Sequence, residues 1–301
     1  MTQRTKGTIV KALSGFYYVK NEIETVECRA RGRFRLDKTV PLVGDRVEFE
    51  SVGKGKGYIS AILERRNSFI RPAVANIDTM VMVAANVNPV TDPFLIDRVA
   101  VLSHYKSCEF ILCINKCDLD PADRLFSLYT SCGINTIRCS AVTGMGIEEL
   151  GNALRGKLCA FTGNSGVGKS SILNALSPGF SLKTAEVSEK LGRGRHTTRH
   201  VELFELSDGT VIADTPGFSA FDIEQMEAVR KEEIQYGFCD FDEYIGQCRF
   251  ADCAHINEPD CAVLKAVSDG RIALSRHESY LRLYDQASKI KDWEHPLPEQ
   301  K

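Results

Sequence analysis

The sequence predicts a multidomain chain of three parts: an N-terminal all-β barrel, a central doubly wound α/β domain and a C-terminal mainly helical domain. Three observations lead there. Up to about residue 70, β-formers cluster in short bursts broken by glycine; from about residue 72, short apolar runs alternate with helical stretches; beyond about residue 221 the pattern turns helical and cysteine-rich. The 301 residues are enough for two or three separate cores. A content of 43% hydrophobic and 26% charged residues, without a low-complexity tract, excludes a disordered or fibrous class. No apolar run approaches twenty residues, and Met1 to Val10 lack the apolar stretch of a signal peptide, so a cytoplasmic protein without membrane contact is expected.

The first part is assigned to residues 1–70. Gly7–Val10, Phe16–Val19, Thr25–Ala30 and Arg46–Phe49 read as strands, punctuated by Gly15, by Gly44-Asp45 and by the run Gly53–Gly57. About five short strands in so short a segment suit an OB-like barrel, a fold that binds nucleic acid with strand faces and loops. The net charge of −2 for the whole chain hides an asymmetry. Residues 1–71 hold 15 Lys and Arg against 8 Asp and Glu, a local +7 that can attract a polyanion. Lys54 and Lys56, and Arg29, Arg31, Arg33 and Arg35 along one alternating edge, are the candidate phosphate contacts. The other reading is a hairpin turn at 53–57 and a solvated strand face.

Residues 71–221 form the second part. Ile77–Ala85, Phe110–Ile114, Thr136–Cys139, Lys157–Phe161 and Val211–Ala213 are apolar runs of the kind buried in parallel sheets. Phe94–Tyr105, Ala122–Ser131, Ile147–Leu154 and Ser170–Leu176 read as the helices between some of them.

Directly after the run Lys157–Phe161, residues 163–170 fit G-x-x-x-x-G-K-[ST] and open a helix, the context that a P-loop requires. Backbone N–H groups around Gly163, Asn164, Ser165, Gly166, Val167, Gly168 and Ser171 would cradle phosphates at the helix N-terminus. Lys169 would neutralise the β and γ groups, and Ser170 would ligate Mg²⁺ carried in with the nucleotide. The base is indicated by Asn115, Lys116 and Asp118 in an N-K-x-D pattern at a strand end. Asp118 can accept from the ring N–H and 2-amino group of guanine, Asn115 would brace the loop, and Lys116 would pack along the base. Ser140-Ala141, after the strand ending at Cys139, would supply a backbone contact to the guanine oxygen. Asp214 and Gly217, in the D-T-P-G stretch after Val211–Ala213, would hold Mg²⁺ through water and sense the γ-phosphate.

These elements predict a P-loop GTPase with its motifs in circularly permuted order. Ordinary GTPases place the P-loop first and the guanine loop late; here residues 115–118 and 140–141 precede 163–170, and the switch motif comes last. The chain after Gly217 therefore runs straight into the C-terminal part, residues 222–301. After Gly217 comes Phe218, where many GTPases have a catalytic glutamine; phenylalanine cannot position water, so another group must do so, or intrinsic hydrolysis is slow.

Eleven cysteines cannot all pair within one chain. Cys28, Cys108, Cys113, Cys117, Cys132, Cys139 and Cys159 fall in core or strand-end positions, and Cys239 is expected to pack. Cys248, Cys253, His255 and Cys261 offer three sulfurs and an imidazole within fourteen residues, a donor set suited to one closed structural zinc site. The competing reading is four unconnected residues. Arg271, Arg276 and Arg282 on the following helix (around Leu274–Lys289) are candidate RNA contacts or a solvated face, and His104, His200 and His277 are expected at the surface.

With permuted GTPase motifs flanked by a small barrel and a Cys/His cluster, the sequence resembles, over essentially its whole length, the RsgA family of ribosome small-subunit-dependent GTPases. The resemblance implies GTP/GDP binding, low intrinsic hydrolysis stimulated by the small ribosomal subunit, rRNA binding and a role in late subunit maturation. It likens 194–198 to the family's switch I, which makes Thr198 the Mg²⁺-binding threonine, with Thr197 the other candidate, and His196 the residue that orients the attacking water; Lys169 and Thr198 join it in the catalytic set. The zinc spacing departs from a C-x₂-C knuckle but is similar to the family's motif. Nothing in the sequence suggests more than a monomer. Two other classes stay open: an RNA-binding module that only senses guanine nucleotides, and a protein-docking adaptor built on the zinc domain.

Overall fold

The computed structural model describes residues 4–32, 34, 39–69, 73–177, 201–214 and 229–290. The N-terminal part contains β1 (Arg4–Leu13), β2 (Phe16–Lys20), β3 (Thr25–Ala30), β4 (Arg46–Gly53) and β5 (Lys56–Ile62). Their pairing runs β1-β2-β3-β5-β4 and returns from β4 to β1, so the sheet closes on itself. Only β3 and β5 are parallel. Alternation along each strand turns Ile9, Val19, Val26, Cys28, Val47, Phe49 and Ile59 inward, all at most 1% exposed. This is the expected OB-like barrel. The strand β3 ends at Ala30, so the alternating edge read from Arg29 to Arg35 stops there. Arg31 instead pairs with Glu50 at 2.5 Å, while Arg33 and Arg35 lie outside the described residues. Lys54 occupies the turn of the β4–β5 hairpin.

A two-stranded hairpin, β6 (Ser68–Phe69) and β7 (Val74–Ala75), connects the barrel to the α/β part. There β8 (Thr79–Ala85), α1 (Pro93–Tyr105), β9 (Glu109–Asn115), α2 (Asp123–Ser131), β10 (Asn135–Arg138), α3 (Ile147–Leu154), β11 (Leu158–Thr162), α4 (Lys169–Leu176), β12 (Glu202–Glu205) and β13 (Val211–Asp214) follow. The spatial order is β10-β9-β8-β11-β13-β12, parallel except for β12. All seven residues of β8 are buried, as a central strand covered on both faces requires. Met80, Met82, Leu112 and Ile114 meet Ile96, Val99 and Leu102 of α1 and Tyr129 of α2 on one face. Val81, Val83, Ile111 and Cys113 meet Leu150 and Leu154 of α3 and Ile172 of α4 on the other.

Among the described residues, β12 and α1 form two of the joints that tie the outer parts to this sheet. At one edge β12 pairs antiparallel with β1, with Lys11 against Glu202 at 2.7 Å, so barrel and α/β sheet are hydrogen-bonded into one surface. Val201 and Leu203 pack against both cores. At the other joint, the C-terminal part packs 3₁₀ turns at Ile234–Gly237 and Cys239–Phe241, α5 (Ala262–Ser268) and α6 (Leu274–Ser288) around Phe238, Phe241, Val263, Ile272 and Tyr280. Val101 on the outward side of α1 completes that core.

Arg276 sits in this second joint. It was expected to contact RNA or solvent; it is instead 1% exposed, bonded from Nη1 to Asp97 of α1 at 2.5 Å and from Nη2 to Asp240 at 2.6 Å. His277 likewise is not a surface residue: it is 5% exposed and its Nε2 donates to the His255 carbonyl at 2.8 Å. Both face inward because α6 is clasped by the 3₁₀ turns on one side and the cysteine loop on another. Arg271 precedes α6 and is exposed, as are His104 and Arg282; His200 lies outside the described residues.

Candidate nucleotide site and metal centre

Because β8, β9, β10, β11 and β13 run parallel, the segments leaving their carboxyl ends gather along one sheet edge, where ligands of open α/β folds bind. Residues 163–168 leave β11 there, Asn115–Asp118 closes β9, Ser140-Ala141 follows β10, and the backbone of Asp214 ends β13. Motifs scattered over a hundred residues of sequence converge.

Asn115 does the joining. Its side chain, 3% exposed, donates from Nδ2 to the Val167 carbonyl at 2.8 Å, and its Oδ1 accepts the Ala141 N–H at 3.2 Å. One amide thus ties the guanine loop to the P-loop and to the Ser140-Ala141 turn. Gly168 makes the approach possible: at φ +96° it is in a conformation that side chains avoid, and a Cβ there would sit 2.3 Å from Asn115 Nδ2. Gly163, at φ +139°, would likewise drive a Cβ to 2.1 Å from the Val83 carbonyl oxygen.

Lys169 heads α4 and folds back over the loop, donating to the Gly163 carbonyl at 2.6 Å and the Asn164 carbonyl at 2.9 Å. Burial pushes its pKa down to about 8. A bound phosphate would offer that ammonium the counter-charge the loop lacks. Asn164, Ser165, Gly166, Val167, Ser170 and Ser171 lie around the same turn; Asn164 Oδ1 is buried and unpaired among the described residues. Asp118 is exposed at the mouth of the guanine loop, and Ser140 is buried, its hydroxyl accepting the Thr143 N–H at 3.1 Å. Thr197, Thr198, His196, Gly217 and Phe218 lie outside the described residues.

Residues 86–92, which carry no recognised motif, also border this edge. The Lys116 Nζ donates to the Asn88 carbonyl, and Gly166 lies against Pro89, where a Cβ would be 3.4 Å from Pro89 Cδ. The available signal was the turn-forming Asn88-Pro89 pair just past the end of β8.

Cys248, Cys253, His255 and Cys261 bring their ligand atoms within 4.8 Å of one another. Zinc bonds of about 2.3 Å to sulfur and 2.05 Å to nitrogen give a tetrahedron with S–S edges of about 3.8 Å and S–N edges of about 3.5 Å. The Cys248–Cys261 sulfurs are 3.7 Å apart, and His255 Nδ1 lies 3.5 Å from Cys248 Sγ and 3.4 Å from Cys261 Sγ. The donor set therefore fits zinc. Gln235 donates its own N–H₂ to the Glu232 carbonyl, which leaves Oε1, 2.9 Å away, to accept from His255 Nε2 and turns the Nδ1 lone pair toward the sulfurs. Backbone N–H groups of Ala262 and Leu264 point at the sulfurs of Cys248 and Cys261. Tyr280 holds the Ala254 carbonyl at 2.7 Å. Cys239 stays outside the cluster, donating to the Cys132 carbonyl.

A parallel sheet with a P-loop, a guanine loop braced against it by a buried asparagine, and the permuted order of the two along the chain define a circularly permuted GTPase. The family model described as RsgA GTPase matches residues 62–224, the model described as RsgA N-terminal domain matches residues 6–59, and the chain belongs to the RsgA GTPase family. A small ribosomal subunit biogenesis GTPase RsgA from Caldanaerobacter subterraneus subsp. tengcongensis is 45% identical over 284 residues, spanning 93% of this chain and 95% of the relative. The protein of that name from Moorella thermoacetica is 46% identical over 278 residues, spanning 92% and 95%. The crystal structure of YjeQ from Thermotoga maritima is similar with a TM-score of 0.82 and 36% identity, covering 96% of this chain and all of that one. That of YloQ, described as a circularly permuted GTPase, gives 0.78 and 36%, covering 96% of each chain.

Proposed function

We propose that this GTPase is a ribosome-stimulated switch in late maturation of the small ribosomal subunit: it binds small-subunit rRNA in its GTP form and leaves after hydrolysis. The observation that carries the nucleotide half is Asn115, whose two hydrogen bonds assemble the guanine loop, P-loop and Ser140-Ala141 turn at one edge. The names of its relatives support the ribosomal half. In this reading Asn115, Lys116, Asp118 and Ser140-Ala141 select guanine, residues 163–171 hold the phosphates, and Gly217 senses the γ-phosphate. Ser170, Thr198 and Asp214 would hold Mg²⁺, which would supply charge neutralisation to the nucleotide phosphates. Lys169 and Thr198 stabilise the transferring group, and His196 orients water. The Cys248, Cys253, His255 and Cys261 site holds one structural zinc. Domain limits of 1–70, 71–221 and 222–301, a monomeric state and a cytoplasmic location complete the proposal. No described helix is long and apolar enough to cross a membrane.

Steady-state GTP hydrolysis with and without purified small subunits, with Lys169→Ala as the blank, tests it. Large stimulation that the variant loses supports the switch; slow turnover unchanged by subunits would leave a guanine-nucleotide sensor. Equal affinity of the GTP and GDP forms for subunits would remove the release step.

A further inference from the structure

We infer that the outer face of β2, β3 and β5 is a stacking platform for unpaired nucleotides, distinct in kind from a contact to duplex backbone. The inference deepens the RNA-binding half of the proposed function and rests on it. Register places Phe16 beside Arg29 and Arg29 beside Tyr58, one row across three strands. The next row sets Tyr18 beside Glu27 and Glu27 beside Lys56. Alternation turns all of these away from the barrel core, since Val19, Val26, Cys28 and Ile59 between them are fully buried.

The face combines two properties that suit stacked bases. Its aromatics reach the surface: Tyr58 is 44% exposed, and Phe16 and Tyr18 are half-buried. Its cations are available, because among the described residues Arg29, Lys54 and Lys56 form no ion pair. Arg29 instead lies over the Phe16 ring at 4.6 Å, a stacked guanidinium that extends the flat surface and carries charge. The acids present are already engaged: Glu50 by Arg31 at 2.5 Å and Arg4 at 3.8 Å, Glu27 by the Tyr18 hydroxyl at 3.4 Å.

Spacing favours a strand over a duplex. Phe16 and Tyr18 are about 7 Å apart along β2, and Phe16 and Tyr58 about 10 Å apart across β3, separations that splayed neighbouring bases can span. In a duplex the base faces are hidden in the stack, and an A-form helix would present phosphates and 2′-hydroxyls to rings that cannot use them. The +7 charge of residues 1–71 supplies the long-range attraction, and Lys54 and Lys56 flank the platform to meet the backbone.

The test uses the full chain and a short labelled mixed-sequence RNA, single-stranded and as its duplex, in anisotropy titrations over a range of salt. The single strand is expected to bind more tightly. Tyr58→Ala should weaken it roughly 5- to 150-fold at every salt concentration, the range of one lost base–aromatic stack, and Tyr58→Phe should restore it. Lys56→Gln should instead lower the slope of log affinity against log salt by about 0.7, the single-strand value per phosphate contact. Unchanged affinity in Tyr58→Ala, or a duplex bound as tightly as the strand, overturns the platform. The ribosomal reading fails separately, by absence of stimulated hydrolysis in the unmodified chain.

Discussion

Arg276→Met is the substitution whose consequence the structure sets most firmly. The guanidinium makes its two short bonds to Asp97 and Asp240, adds Nε to Asp240 Oδ2 at 3.3 Å, and lies 4.6 Å from the Phe238 ring. Asp97 side-chain exposure is 1% and Asp240 7%, so neither carboxylate can turn to water when the cation is removed. Methionine keeps most of the volume and isolates the electrostatic effect. Stranding buried charges in this way costs about 3–5 kcal/mol, a large part of the 5–15 kcal/mol that holds a typical domain together. Because the three residues come from α1, the Cys239–Phe241 turn and α6, the loss is expected at the joint between the GTPase and C-terminal parts. Urea unfolding followed by circular dichroism and by zinc release should show the C-terminal part melting first. Adding Asp97→Asn and Asp240→Asn to Arg276→Met removes the stranded charges and should recover more than half of the loss. A cost below about 1 kcal/mol, or no recovery in the triple variant, would refute the reasoning, since it would mean that the site rehydrates or that the carboxylates are already neutral.

Three further outcomes are expected. Gly168→Ala forces a Cβ against Asn115 Nδ2 at a positive φ, and should lower guanine-nucleotide affinity by about 2–4 kcal/mol, roughly 30- to 1000-fold, in a fluorescent GDP titration; affinity equal to that of the parent would show that the loop relaxes freely. Chelation at neutral pH should release one zinc per chain and abolish the ordered contacts of Gln235 and Tyr280 with the 254–255 loop, while GDP binding survives, read by a metallochromic dye beside the GDP titration. Tyr280→Phe removes only the hydroxyl that holds the Ala254 carbonyl, and should cost about 1 kcal/mol in denaturant unfolding without changing nucleotide affinity.

Features written in local pattern were legible before folding was considered. The alternation in β2 and β3, the fully apolar β8, the glycines of residues 163–168 at the mouth of a helix and the tight spacing of Cys248 to Cys261 each express a constraint met within a few residues, so the three-part architecture and the permuted GTPase order could be read directly. Contacts whose partners lie far off in the chain come to light only in the folded molecule. Arg276 looks like a solvated helix residue because its neighbours in sequence are polar; its burial comes from Asp97, 179 residues away, and Asp240, 36 residues away. His277 is drawn inside by the His255 carbonyl in the cysteine loop, and Asn88 meets Lys116 across two separate strand ends. Arg29 offered a charge to the sequence reading, and the fold laid it on a ring. Periodicity reports which side of an element is apolar, whereas the identity of a polar partner depends on how whole elements are stacked, and that is fixed only when the chain has closed on itself.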